Sequence, residues 1–307
     1  MTRTTTNTNR RLIVIVGATG SGKTDLSLTL AAHYHAPIIS TDSRQFYRGI
    51  PIGTAQPTAE EQERVEHHFI NCFDIEQEFN CGTYERAALE RLEELFERHS
   101  TVVAVGGSGL YVKALCEGID ELPDADKTLR ETLMQQLKEE GLESLLAELR
   151  KSDPEYYEMV DRRNPSRVLR AVEVCRATGL PYSSLRKGER KRRNFEIVKV
   201  GIDMTREELY DRINRRVERM MEDGLEAEAR AMLPHRKCNA LHTVGFSEMF
   251  DYFDGLTTRE EAVELIKRNT RRYAKRQMTW FRRDAEVRWF ERPEVTEVIE
   301  YIDAQFG

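Results

Sequence analysis

Residues 12–24 read L-I-V-I-V-G-A-T-G-S-G-K-T: a five-residue apolar run, a glycine-rich turn, then Lys-Thr. Apolar residues keep helical spacing over residues 25–34, so the stretch predicts strand, loop and helix in that order. Gly17, Ala18, Thr19, Gly20, Ser21, Gly22, Lys23 and Thr24 fill the pattern G-x-x-x-x-G-K-[ST]. Such a loop turns amide N–H groups towards a di- or triphosphate at the positive end of a helix dipole. Lys23 adds a cation for phosphate oxygens, and Thr24 a hydroxyl for Mg²⁺. The loop leaves open whether phosphate is transferred, hydrolysed, or released as pyrophosphate.

Outward from it, residues 36–41, 101–106 and 195–202 read as further buried strands, with a helix over roughly residues 84–99. Strands alternating with helices imply an α/β fold, a P-loop-type doubly wound parallel sheet. Strand signals vanish over residues 124–194, where residues 128–139 and 165–177 have helical character. That region reads either as an ordinary helical second half or as an insertion into a core that resumes at Phe195. We take the insertion: a disordered leader at 1–11, a catalytic core at 12–123 and 195–307, and a mainly helical domain at 124–194. Residues 206–232 and 260–281 predict long helices.

The chain has 307 residues, 39% hydrophobic and 33% charged, too apolar for wholesale disorder and without an apolar run that could span a membrane. Its net charge of −6 excludes nucleic-acid binding through the average field, so any such binding needs local patches. Residues 161–193 carry eleven bases against three acids, while residues 117–158 carry five against thirteen. Cys72, Cys81, Cys116, Cys175 and Cys238 have no metal-ligand or disulfide spacing, which suits a reducing compartment. The leader is polar and acid-free but lacks the apolar core of an export signal.

Residues 38–42 read I-I-S-T-D and place Asp42 at the carboxyl end of a strand, where doubly wound sheets bind ligands. A carboxylate there binds metal, accepts a proton, or merely caps the next turn. Ser43, Arg44, Gln45, Phe46, Tyr47 and Arg48 follow, a mixture suited to a nucleobase and its backbone, or to a nucleotide kinase. Lys267/Arg268, Arg271/Arg272 and Lys275/Arg276 recur every four residues, a cationic stripe along one helix, while Val263, Ile266, Tyr273 and Phe281 can face the core.

Six segments in order resemble the tRNA dimethylallyltransferase (tRNA isopentenyltransferase) family in its bacterial form. They are G-A-T-G-S-G-K-T, D-S-R-Q-F-Y-R-G with I-G-T-A-Q-P, G-G-S-G-L-Y, N-P-S-R-V-L-R-A-V-E-V, T-V-G-F-S-E and R-R-Y-A-K-R-Q-M-T-W-F-R. The resemblance implies transfer of a five-carbon prenyl group from dimethylallyl diphosphate to the exocyclic amine of the adenine beside the anticodon, with pyrophosphate and Mg²⁺ at the loop. It makes Asp42 the general base and Arg216 the partner of Lys23 and Thr24 at the leaving group. Ser108 stands where the family commonly has Thr, keeping the hydroxyl for a substrate hydrogen bond.

By the same resemblance, tRNA contacts fall on Asp42, Ser43, Arg44, Gln45, Ser108, Arg130, on Ser166, Arg167, Val168, Leu169 and Arg170, and on His242, Thr243, Val244, Gly245, Phe246 and Ser247. A last group comprises Lys275, Arg276, Gln277, Thr279, Trp280 and Arg282. Phe246 replaces a common Tyr and so lacks one hydroxyl. The resemblance further implies a cytoplasmic protein that meets the tRNA anticodon stem-loop and no membrane, and we expect a monomer. The competing readings are an isopentenyltransferase acting on free adenine nucleotides, a P-loop small-molecule kinase with Arg162 and Arg163 in a lid, and an RNA-binding NTPase.

Overall fold

A computed structural model describes residues 10–123, 126–292 and 294–307. In chain order these form β1 (Arg11–Gly17), α1 (Lys23–Tyr34), β2 (Ile38–Ser40), α2 (Pro51–Thr54), α3 (Ala59–Arg64), β3 (His67–His68), α4 (Cys81–Phe96), β4 (Thr101–Val105) and α5 (Gly109–Glu117). Helices α6 (Lys127–Glu140), α7 (Leu142–Ser152), α8 (Pro154–Met159), α9 (Pro165–Thr178) and α10 (Tyr182–Leu185) follow. The chain then forms β5 (Glu196–Asp203), α11 (Arg206–Glu222), α12 (Leu225–Ala231), α13 (Phe246–Phe253), α14 (Arg259–Phe281), β6 (Val287–Glu291) and α15 (Val295–Phe306).

The six strands are all parallel, in the order β3-β2-β4-β1-β5-β6. Period-two alternation sorts their side chains into two cores. Leu12, Val14 and Val16 of β1 join Val102 and Ala104 of β4 on one face, under Leu92 of α4 and Ile266 of α14. Ile13 and Ile15 join Val103 and Val200 on the other, against Leu28 of α1 and Val298 of α15. Burial on both faces explains why the strands read as unbroken apolar runs, and the doubly wound expectation holds.

Two compact units divide the chain, Gly118–Lys191 and the remainder. The boundaries expected from sequence were 124 and 194; the helical unit begins at Gly118, directly after α5, and Arg192–Asn194 lead into β5 within the larger unit. The helical unit has a core of its own, with Leu133, Leu145, Leu149, Val168 and Val172 fully buried. Within it Glu173 is 1% exposed and receives both Arg130 (3.3 Å) and Arg170 (2.6 Å).

Three expectations need correction. Arg11, assigned to the leader, is a sheet residue paired with Thr101 and Glu196, and Arg10 bonds Glu93 at 2.7 Å; residues 1–9 of that leader lie outside the described residues. The long helix expected over residues 206–232 breaks at Gly224, whose φ of 105° no helix can hold, giving α11 and α12. Strand β6 is an addition; its pairing with β5 positions it.

Candidate functional site

The carboxyl ends of β1, β2 and β4 deliver three loops to one cleft of about 1040 Å³ in the larger unit. The β1–α1 loop ends on Gly22, the N-cap of α1, at φ 94°, a left-handed torsion that lets the first-turn amides of α1 open towards the cleft. Gly20, Gly22, Lys23 and Thr24 line it. Lys23 Nζ donates to Ala18 O at 2.6 Å, curling its cation back over the loop. Burial, then the neighbouring Arg216 cation, lowers the Lys23 pKa to about 7, and the Asp42 carboxylate pulls the other way.

Asp42 follows β2 and also lines the cleft. Its Oδ1 accepts from Arg44 N–H at 3.0 Å, so its carboxylate is oriented by the turn it starts. Arg216, recessed on α11, has its pKa lowered by burial and raised by Asp42, and it makes no hydrogen bond or ion pair among the described residues. An unspent guanidinium, a recessed ammonium and a carboxylate thus face a common space. Arg212, Arg215 and Arg219 line it as well. Spacing in L-Y-D-R-I-N-R-R-V-E-R puts 212, 216 and 219 on one helix face, a signal present in the sequence although Arg216 was expected there only from the resemblance.

The β4–α5 loop supplies Gly106 and Gly107 to the wall. Behind it, Ser108 is 9% exposed; its hydroxyl accepts from Ser43 N–H at 3.0 Å and donates to Ser43 Oγ at 3.1 Å. Those two bonds orient the hydroxyl without the methyl of threonine. Tyr273, expected to face the core, lines the cleft instead. Burial and the Asp42 charge push its phenol up to about 12, against a hydrogen bond with Ser108.

Several residues expected at an RNA surface have other work in the structure. Arg44 donates to Asn239 O (2.7 Å) and His242 O (3.4 Å), tying down the loop that leads to α13. Gln45 braces the loop after α2 through Ala55 O at 2.8 Å. Phe246 is fully buried, with its ring edge only 2.4 Å from where a Cβ on Gly53 would lie, so its missing hydroxyl would have had no solvent to meet. Val168 and Leu169 lie in the helical unit's core, while Ser166 and Arg167 are exposed on α9. Gln277 is 5% exposed and bonds only loops of the cleft.

His242, Thr243, Val244, Gly245 and Ser247 line the cleft with Arg276, and Lys275, Thr279, Trp280 and Arg282 are exposed on or just after α14. The cationic stripe is uneven. Lys267 is spent on Glu218 and Glu264, both at 2.9 Å, Arg271 donates to Asn214 at 2.6 Å, and Arg282 pairs with Asp203 at 2.7 Å. In the kinase reading Arg162 would be a lid residue, yet it pairs with Glu158 at 2.5 Å beside the Tyr157 ring. Away from the cleft Glu117, Asp284 and Glu286 converge, but Lys199 Nζ sits among them at 3.3, 2.6 and 3.0 Å. The Lys199 ammonium thus takes the place among these carboxylates that a cation would need, and offsets one of their three charges.

A glycine-rich loop of the G-x-x-x-x-G-K-[ST] pattern, a carboxylate at the neighbouring strand end and several arginines, all lining one cleft of a parallel sheet, define a P-loop-type α/β protein. The family model for IPP transferase matches residues 45–284, and the chain belongs to that family. It is 50% identical over 297 residues to the tRNA dimethylallyltransferase of Cytophaga hutchinsonii, covering 97% of this chain and 98% of that protein. With tRNA dimethylallyltransferase 2 of Porphyromonas gingivalis it shares 52% over 279 residues, 91% of this chain and 93% of the relative. The full-length tRNA isopentenylpyrophosphate transferase of Bacillus halodurans superposes with a TM-score of 0.72 at 38% identity, 97% of each chain being covered. A eukaryotic dimethylallyltransferase acting on tRNA superposes with a TM-score of 0.76 at 25% identity over 94% of this chain and 75% of the other. The enzyme class expected from sequence agrees with these names.

Proposed function

We propose that the protein transfers a dimethylallyl group from dimethylallyl diphosphate to the exocyclic amine of the adenine 3′-adjacent to the anticodon of tRNA, releasing pyrophosphate, as a monomer in the cytoplasm. The observation that carries this reading is the shared cleft of Lys23, Arg216 and Asp42, which brings cations suited to a leaving diphosphate together with a carboxylate suited to an acceptor's departing proton. The amine nitrogen attacks the allylic carbon, the carbon–oxygen bond to the diphosphate breaks, and the amine's surplus proton passes to the Asp42 carboxylate. Lys23, Arg216 and the first-turn amides of α1 take up the negative charge that grows on the leaving group.

The Thr24 hydroxyl and the Asp42 carboxylate are hard oxygen donors lining the same cleft, a set that fits Mg²⁺. Thr24 and Asp42 would hold such an ion, which would supply further neutralisation of the leaving group. On the acceptor side we assign Ser43, Ser108, His242, Thr243, Val244, Gly245, Ser247 and Tyr273 to the nucleobase pocket, and Lys275, Arg276, Thr279 and Trp280 to backbone contact and stacking. Ser166, Arg167, Arg130 and Arg170 of the helical unit grip the anticodon stem-loop through phosphates.

The test is incubation with dimethylallyl diphosphate and an anticodon stem-loop, followed by digestion and mass measurement of the nucleosides. A prenylated adenosine is expected. Efficient turnover of adenosine monophosphate alone, or a phosphorylated product from ATP without prenylated RNA, overturns the reading.

A further inference from the structure

We propose that Gln277 is a positioning residue that fixes the donor loop against the acceptor side of the cleft, and that it contacts no RNA. The placement of the donor rests on the reading above. Gln277 Oε1 accepts from Thr19 N–H at 2.9 Å, and its Nε2 donates to Gly107 O at 2.9 Å. One primary amide, 5% exposed, therefore spans the β1–α1 and β4–α5 loops. Its orientation is not arbitrary: a backbone N–H can only donate and a carbonyl only accept, so the oxygen must face Thr19.

Two further facts give the strap consequences. The Thr19 amide, which a phosphate loop would be expected to turn towards its anion, is committed to Gln277, leaving the anion to the residues after it. On the other side, a Cβ on Gly107 would lie 2.1 Å from Gln277 Nε2 and 3.9 Å from Asp42 Oδ2. The glycine thus admits the amide at the point where the loop passes the carboxylate. Shifting the strap would move the diphosphate and Asp42 relative to each other, and the reaction depends on that separation. Neither aspartate nor methionine could replace the amide, the first because it is short and lacks a donor, the second because it bonds neither loop.

The experiment compares Gln277→Met and Gln277→Glu with the parent, below the melting temperature of each. Pyrophosphate affinity is measured by calorimetry in Mg²⁺ buffer without RNA, and kcat and both KM values are measured with dimethylallyl diphosphate and the stem-loop. For Gln277→Met we expect pyrophosphate affinity and kcat/KM for the donor to fall about tenfold or more, as for loss of buried hydrogen bonds, with KM for RNA unchanged. Gln277→Glu should recover towards the parent as pH falls and pass Gln277→Met, because a neutral carboxyl again accepts from Thr19 and donates to Gly107. Parent-like values for Gln277→Met, or a raised KM for RNA with donor constants intact, overturn the proposal.

Should Gln277→Met fail to fold, amide exchange on the labelled parent decides. Thr19 N–H should be protected and should stay unshifted when pyrophosphate binds, while Lys23 and Thr24 shift. An unprotected or shifting Thr19 amide overturns the strap. These RNA-free readings stand or fall apart from the identity of the acceptor.

Discussion

At the scale of single residues, the cleft sets two charges against each other, and each has a measurable consequence. Asp42 is held by Arg44 N–H beside the Arg216 cation, an orientation that suits the general-base role proposed for it. Asp42→Asn should keep RNA affinity while turnover drops about a hundredfold or more, the scale of a lost general base. Turnover within a few-fold of the parent would remove Asp42 from that role. Lys23 is the complementary case. Burial and the Arg216 cation lower its pKa to about 7, within reach of physiological pH. A polyanion beside it favours the charged form, so binding pyrophosphate near pH 7.5 should take up a fraction of a proton, and affinity should fall as pH rises through the lysine's pKa. Calorimetry in buffers of different ionisation enthalpy reads that uptake directly. Heats independent of the buffer would contradict it.

At the scale of elements, what could be read from sequence depended on whether local pattern or distant pairing decides the structure. The G-A-T-G-S-G-K-T loop is legible because its torsions and amides are a property of that segment alone, and β1, β4 and β5 because burial on both faces leaves an apolar run. Strand β6 was missed: V-R-W-F-E alternates weakly and is a strand because β5 offers it an edge. Tyr273 was misassigned because helical spacing separates faces without saying whether a face meets core or cleft. The same limit hid the bonds of Gln277, which the resemblance puts among the tRNA contacts, because its partners lie 258 and 170 residues away. The break at Gly224 is a local fact that the long apolar pattern masked. An alanine there meets nothing closer than Ile52 Cδ1 at 4.0 Å, so its cost is that of the left-handed torsion itself. Gly224→Ala should destabilise by about 1 kcal/mol, read as a lower denaturation midpoint at unchanged slope. No loss would mean that α11 and α12 can fuse.

At the scale of the whole molecule, an acidic chain that handles RNA must confine its positive charge, and the two units do so separately. Arg212, Arg215, Arg216 and Arg219 of α11 line the cleft, whereas Arg167 and Arg163 are exposed on the helical unit. Arg167→Ala should weaken stem-loop binding by about 1–3 kcal/mol and shallow the salt dependence by about one charge, measured by titration across salt concentrations. The larger unit's own bonds make a stronger test possible. Arg193 Nε donates to Leu115 O at 2.9 Å and its Nη2 to Ala114 O at 2.5 Å, so the ends of Gly118–Lys191 are adjacent on that unit. Among the described residues the larger unit has buried clusters of its own. Replacing Gly118–Lys191 with a short Gly-Ser linker should therefore leave a cooperative melt and parent-like pyrophosphate affinity, while RNA affinity falls steeply and prenyl transfer to the stem-loop is lost. If pyrophosphate binding were lost with the melt intact, the donor cradle would depend on the helical unit; if RNA affinity survived, the grip would lie on α14 and the cleft mouth alone.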